Sequence, residues 1–302
     1  MFNNPIYILS TFAAIAIVLI VSCDPYSDDS YREYVVLESY LVAERRLPEI
    51  YISTTLPADQ MYTFEDAAVA GATVTLHVLG EADEIEQSYN FIMTDPGVYR
   101  SNAIHIVEPL RTYRLEVEIE GREQITAHTT VPDTFRVTGQ VPETIIYQSD
   151  QQLELRITPN VNPGRQNVYV FNTIAEDPEY ENLTPFYKSI YDNDDQSDLQ
   201  EFRNNASNLI NEGNFQIDEE GFIELRFPWI GVAFYGDNQI VTNSLDRNIF
   251  DFIRSQDVQL GGSTLSPGEI PNVIYNIEGG IGVFGSLSAD TVRTNFSRPQ
   301  GQ

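Results

Sequence analysis

From Tyr34 onward, apolar and polar positions alternate in short runs, the period-two pattern of strands with one buried face. Tyr34–Val42, Glu49–Ser53, Thr73–Val78 and Tyr89–Ile92 are rich in β-branched and aromatic residues and are separated by Pro and Gly signals. Pro96-Gly97-Val98-Tyr99 turns the chain into another strand. Thr112–Ile119 alternates strictly, with Tyr113, Leu115, Val117 and Ile119 on one face and Arg114, Glu116 and Glu118 on the other. Glu120-Gly121-Arg122 then leads into Gln124–Val131, and Pro132 closes the series. About seven strands within about a hundred residues, with no helical period, predict an immunoglobulin-like β-sandwich over residues 33–132.

The strand rhythm restarts at 134–137, 153–158 and 167–172. Leu199, Phe202, Ala206, Leu209 and Ile210 then recur at helical spacing, Ser197 with Gln200 has the form of a capping box, and Gly213 stands where a C-cap glycine belongs. One amphipathic helix is predicted at about 198–211. Residues 222–227 and 232–235 return to strand character, and 245–256 suits a helix through Leu245, Ile249, Phe252 and Ile253, although Ile249, Asp251 and Ile253 also alternate. The expected architecture is mainly β: two tandem β-sandwich domains of immunoglobulin or fibronectin type, the second at 133–298 and carrying the helical insertion. No internal repeat of solenoid or propeller length is present.

The amino end differs. Ile6–Ser22 is an uncharged, almost wholly apolar run ending at Cys23, the single cysteine of the 302 residues. Ile20-Val21-Ser22-Cys23 resembles a bacterial lipobox, which implies a signal peptide over 1–22 removed before Cys23 and lipid placed on that residue. The start, Met1–Pro5, lacks the Lys or Arg of a signal n-region, so an uncleaved membrane anchor is the competing reading. Residues 23–32, including Asp24-Pro25-Tyr26-Ser27-Asp28-Asp29-Ser30, form an acidic tether; it resembles a surface-export signal and is equally a plain solvated linker. With Cys23 lipidated no thiol is left for disulfides, zinc or nucleophilic catalysis.

All 45 acidic and 17 basic residues lie beyond residue 22, and the net charge is −28. That excess argues against nucleic acid, whose phosphates need basic patches, and against electrostatic adsorption to anionic lipid. Attachment would come from the acyl chains. A surface this acidic, with Lys188 as its one lysine, also suits solubility in saline surroundings.

A family resemblance emerges from Val35–Leu41, Val69–Leu76, Pro96–Tyr99, Thr112–Leu115 leading to Thr129–Pro132, and Asn276–Gly285 in that order. Together they resemble the Bacteroidota lipoprotein family called domain of unknown function 4249. The resemblance implies an outer-membrane lipoprotein, on the cell surface or the periplasmic face, often associated with TonB-dependent receptors. It transfers no catalytic residues. A structural or adhesive surface protein using Ig-like domains for protein contacts is the alternative, and an acidic hydrolase a third.

Candidate chemistry is thin. Gly280–Gly285 matches G-x-G-x-x-G, but too little chain follows for a dinucleotide-binding βαβ unit, so its glycines are expected to allow close backbone approach, with Phe284 in the core. Asp192, Asp194 and Asp198 alternate like calcium ligands, yet Ser197 and Arg203 stand where an EF-hand needs Gly and Glu; an acidic loop before a helix accounts for them as well. His77, His105 and His128 are too scattered for a zinc motif, and no G-x-S-x-G elbow exists. Trp229, Phe234 and Tyr235 are the candidate ligand platform, against the competing reading that they pack a core. No cofactor and no enzymatic reaction are expected.

Overall fold

The computed structural model describes residues 31–162, 165–193, 198–259 and 272–299. In chain order the first half contains β1 (Val35–Val42), β2 (Ile50–Thr54), the single turn α1 (Phe64–Ala67), β3 (Thr73–Leu79), β4 (Ile85–Asp95), β5 (Val98–Arg100), β6 (Thr112–Glu118) and β7 (Ile125–Thr130). The second half contains β8 (Val137–Thr138), β9 (Thr144–Ile146), β10 (Glu154–Ile157), β11 (Val168–Ala175), α2 (Pro185–Asn193), α3 (Leu199–Arg203), β12 (Asn204–Ala206), β13 (Ile210–Asn211), β14 (Gln216–Ile217) and β15 (Ile223–Arg226). It ends with β16 (Gly236–Leu245), α4 (Arg247–Gln259), β17 (Ile277–Glu278) and β18 (Ile281–Ser297). The protein is mainly β, with a fourteen-stranded sheet, twelve strands of which form one path of neighbours while β13 and β9 pair beside it, and a separate four-stranded sheet, β14-β15-β10-β8.

The alternation along β6 has its expected outcome: Tyr113, Leu115 and Val117 are fully buried, while Arg114 and Glu116 face outward and form an ion pair. β4 belongs to two layers, because residues up to Phe91 pair with β3 and residues from Ile92 pair with β5. The path therefore curls, and the inner faces of β1 and β2 meet those of β3, β6 and β7 in one core. A second core gathers Phe135, Tyr147, Leu155, Tyr169, Phe171 and Ile240 between β10, β11 and β16.

β18 is shared by both cores. Its first part runs parallel to β1, from Val36↔Ile281 to Val42↔Leu287, and its later part pairs antiparallel with β16 as far as Gly236↔Phe296. Phe284 is buried in the first core and Phe296 in the second. β17 likewise returns to β7 through Ile277↔Ala127. The sheet is therefore not severed at Pro132, and strands from beyond residue 276 complete the first core.

The glycines of 280–285 serve this join. Gly282 has φ +114°, and a Cβ there would lie 2.1 Å from the Leu37 carbonyl oxygen. A Cβ on Gly285 would lie 2.3 Å from Ile249 Cγ1, so α4 can pack on β18 only where a side chain is missing.

Three expectations for the second half are corrected. The helix expected over 198–211 ends at Arg203, and Asn204–Ala206 instead joins β11 as β12. There the Asn205 amide donates to the Tyr187 hydroxyl (2.6 Å) and the Gly231 carbonyl (2.9 Å), contacts a continuing helix would forgo. Asp198 caps that helix by accepting from Gln200 N–H (3.0 Å); Ser197 lies outside the described residues. Residues 232–235 are not a strand but a loop with one bridge, Leu183↔Phe234. The strand expected at 134–137 shrinks to Val137–Thr138. The helical alternative for 245–256 is the one adopted, as α4.

Candidate functional site

Three buried polar residues, Thr129, Asp246 and Ser286, meet where β7, the start of α4 and β18 come together. Asp246 precedes α4 and is its N-cap, its Oδ1 accepting from Ile249 N–H at 2.8 Å. Only 3% of Asp246 is exposed. Its Oδ2 lies 2.5 Å from Thr129 Oγ1, Thr129 Oγ1 lies 2.7 Å from Ser286 Oγ, and the Ser286 hydroxyl donates to the Thr130 carbonyl at 3.0 Å. These three contacts need three hydrogens, and the two hydroxyls own two. A protonated Asp246 supplies the third; an ionised one leaves a contact without a proton.

Burial works in the same direction, pushing the Asp246 pKa up to about 6 against the opposing pull of Thr129 and the Ile249 N–H. Helix-terminal attraction for a negative charge is worth roughly 0.3–1 kcal/mol, too little to offset desolvation at this depth.

Beside this chain of hydroxyls lies a cavity of about 350 Å³, bordered by His128, Thr130, Asn162, Arg165, Arg247 and Asn248. Asn248 on its border donates to the carbonyls of His128 (2.7 Å) and Phe284 (3.1 Å), and Asn276 donates to the same Phe284 carbonyl (2.6 Å). Arg165 Nη2 donates to the carbonyls of Leu245 (2.8 Å) and Asp246 (3.1 Å), and its guanidinium lies over the Phe250 ring. Burial lowers the Arg165 pKa from its ordinary value. Its Nε is buried and has no hydrogen-bond partner among the described residues.

A larger concavity of about 750 Å³ lies on the outer face of the four-stranded sheet, but its charges are already matched. Arg226 pairs with Glu154 at 3.0 Å and Arg156 with Asp218 at 2.5 Å.

The residues singled out from sequence are distributed differently. Cys23 and Asp194 lie outside the described residues. Asp192 accepts from the Tyr180 hydroxyl (2.9 Å) and Asp198 caps α3, so each has a structural partner. Among the described residues no group of three or more His, Cys, Asp and Glu is placed to hold a metal ion. Trp229 and Tyr235 both stack edge-on against Tyr147, with centroids 5.4 Å away, and Phe234 is fully buried in a small cluster with Leu183 and Tyr187. His77 contacts Ser88 (2.8 Å) and Glu116 (3.3 Å), while His105 bridges Tyr89 (2.8 Å) and Tyr113 (2.9 Å). The converging set of Thr129, Arg165, Asp246 and Ser286 was not singled out. One local signal for it existed, since Asp246 stands directly before the helical period of 247–256.

A mainly β chain with a polar cavity where its two cores join, and with no described helix long and apolar enough to cross a membrane, is the class these observations define. The chain belongs to the family described as Domain of unknown function (DUF4249), which matches residues 22–293. Comparison with curated proteins finds no match. Among solved structures, it is similar to a tetra-tandem repeat in the extending region of a large adhesion protein at 12% identity, covering 88% of this chain and 49% of that one with a TM-score of 0.23. It is also similar to trypsin-activated alpha-2-macroglobulin from Escherichia coli at 8% identity, covering 72% of this chain and 15% of that one, TM-score 0.22. Three N-terminal domains of the bacteriophage RB49 outer capsid protein Hoc align at 10% identity over 89% of this chain and 71% of that one, TM-score 0.21. The chain thus spans about half of the adhesion-protein structure and a small part of the macroglobulin.

Proposed function

We propose that this protein is a lipid-anchored outer-membrane protein, at the cell surface or the periplasmic face, and a non-catalytic accessory of a TonB-dependent transporter that captures a ligand or governs its entry. The order of features at the amino end carries this reading. An uncharged apolar run closes on Cys23, an acidic stretch follows, and β1 then enters the main sheet between β2 and β18. The twelve residue steps from Cys23 to Val35 can span at most about 43 Å, which keeps a lipid-anchored fold close to the membrane. Transporter partnership comes from the family resemblance, and the two cores are read as two immunoglobulin-like sandwiches joined by β18.

Two measurements test the proposal. Cys23→Ser is expected to abolish palmitate labelling while the folded region persists; labelling that survives the substitution refutes lipidation at this residue. Purification from native membranes in mild detergent is expected to recover a barrel partner. Recovery without one, together with loss of surface attachment on deletion, favours the structural or adhesive alternative.

A further inference from the structure

Arginines on this acidic protein follow a rule that one of them breaks. Among the described arginines that are not exposed, Arg111 meets Glu86, Arg114 meets Glu116 at 2.6 Å and Arg156 meets Asp218 at 2.5 Å. Described arginines without such a carboxylate, including Arg45, Arg203 and Arg254, are exposed and solvated by water. Arg165 is half-buried yet has no carboxylate within 4.0 Å among the described residues; Asp246 and Asp251 act on it only at longer range.

Taking a guanidinium out of water is costly unless an anion replaces the lost hydration. The chain has 45 acidic residues with which to supply one. At Arg165 the surroundings instead offer backbone carbonyls to one nitrogen, leave Nε without a partner, and open onto a cavity of about 350 Å³. His128 and Arg247 border the same space, and both are exposed. The one acid on that border, Asp246, already uses Oδ1 on Ile249 N–H and Oδ2 on Thr129.

We propose that the cavity between β7 and the start of α4 binds a small oxyanion, a carboxylate or phosphate group, with Arg165 as its principal cationic ligand and Arg247 and His128 at the rim. With Nη2 held by the two carbonyls and Nε buried, the other terminal nitrogen, Nη1, is the donor left for a charge-assisted hydrogen bond to a carboxylate or phosphate oxygen. The volume sets the size class, a free ion or a compact organic acid rather than a polymer. The site supplies the ligand class that the accessory-protein reading leaves open, and the two fail separately: co-purification tests the partner, anion titration tests the cavity.

The experiment titrates the detergent-solubilised full chain with sodium phosphate and, separately, sodium succinate by calorimetry, replacing chloride at constant ionic strength. Saturable binding of one or both is expected, and the one that binds identifies whether phosphate or carboxylate is the natural source. Arg165→Gln should weaken that binding by about tenfold or more, the loss expected for one charge-assisted hydrogen bond. Because Arg165 also supports the Leu245 and Asp246 carbonyls, the exposed rim variants Arg247→Gln and His128→Gln provide a second reading in a folded protein, each expected to weaken binding by about two- to threefold. No heat or melting shift with either anion overturns the proposal, as does equal affinity in a folded Arg165→Gln protein.

Discussion

Replacing Asp246 by Asn should leave the protein at least as stable near neutral pH, although a buried, doubly hydrogen-bonded aspartate is removed. The amide keeps an oxygen for Ile249 N–H and adds an N–H toward Thr129, so it provides the third hydrogen that the Thr129–Ser286–Thr130 series needs. The Asp246 pKa is raised from 3.8 to about 6, so the wild-type folded state holds this proton more tightly than the unfolded chain does. A raised folded-state pKa contributes stability that is fully present below about pH 4 and is lost as the pH rises through about 6. The rise from 3.8 to about 6 corresponds to about 3 kcal/mol.

The difference in unfolding free energy, wild type minus Asp246→Asn, should therefore fall by up to about 3 kcal/mol between pH 4 and pH 7.5. Urea denaturation of both proteins across that range measures it, and at a slope near 3 kcal/mol/M the relative midpoint moves by about 1 M. Taking the difference removes the other carboxylates of a protein with net charge −28, since they titrate alike in both. A difference independent of pH would refute the raised pKa. A difference that grows with pH would show that the folded state favours the ionised carboxylate, reversing the proton count.

Two further outcomes follow from the shared strand. Gly282→Val combines φ +114° with a Cβ 2.1 Å from the Leu37 carbonyl oxygen, so it should cost about 3 kcal/mol or more; an unchanged denaturant midpoint would remove the claim that β1 and β18 need that glycine. A fragment of residues 33–132 lacks β17 and β18 and leaves Val36–Val42 of β1 without their Ile281–Leu287 partners, so it should show no cooperative unfolding transition by near-ultraviolet circular dichroism; a sharp, reversible transition would establish that the first core is self-sufficient.

What could be read from the chain was whatever its own neighbours decide. The faces of β6 were legible because burial of Tyr113, Leu115 and Val117 needs only an alternating sequence and one buried side. The boundary at Pro132 misled because proline marks a local stop, whereas sheet membership depends on pairing, and residues 281–287 pair with residues 36–42. Asn204–Ala206 carried a helical period but is held in β12 by β11 and by Tyr187, which act from elsewhere in the chain. The candidate site is the extreme case of the same physics. Thr129 and Asp246 are 117 residues apart and Thr129 and Ser286 are 157 apart, so no window of sequence contains their contact. Arg165, in a Pro-Gly-Arg stretch typical of a solvated turn, gains its significance only when Leu245, Asp246 and Phe250 close over it. A half-buried cation with no carboxylate partner among the described residues is therefore a signal that exists only after folding, and it lies beside the buried Thr129, Asp246 and Ser286, which come from distant parts of the sequence.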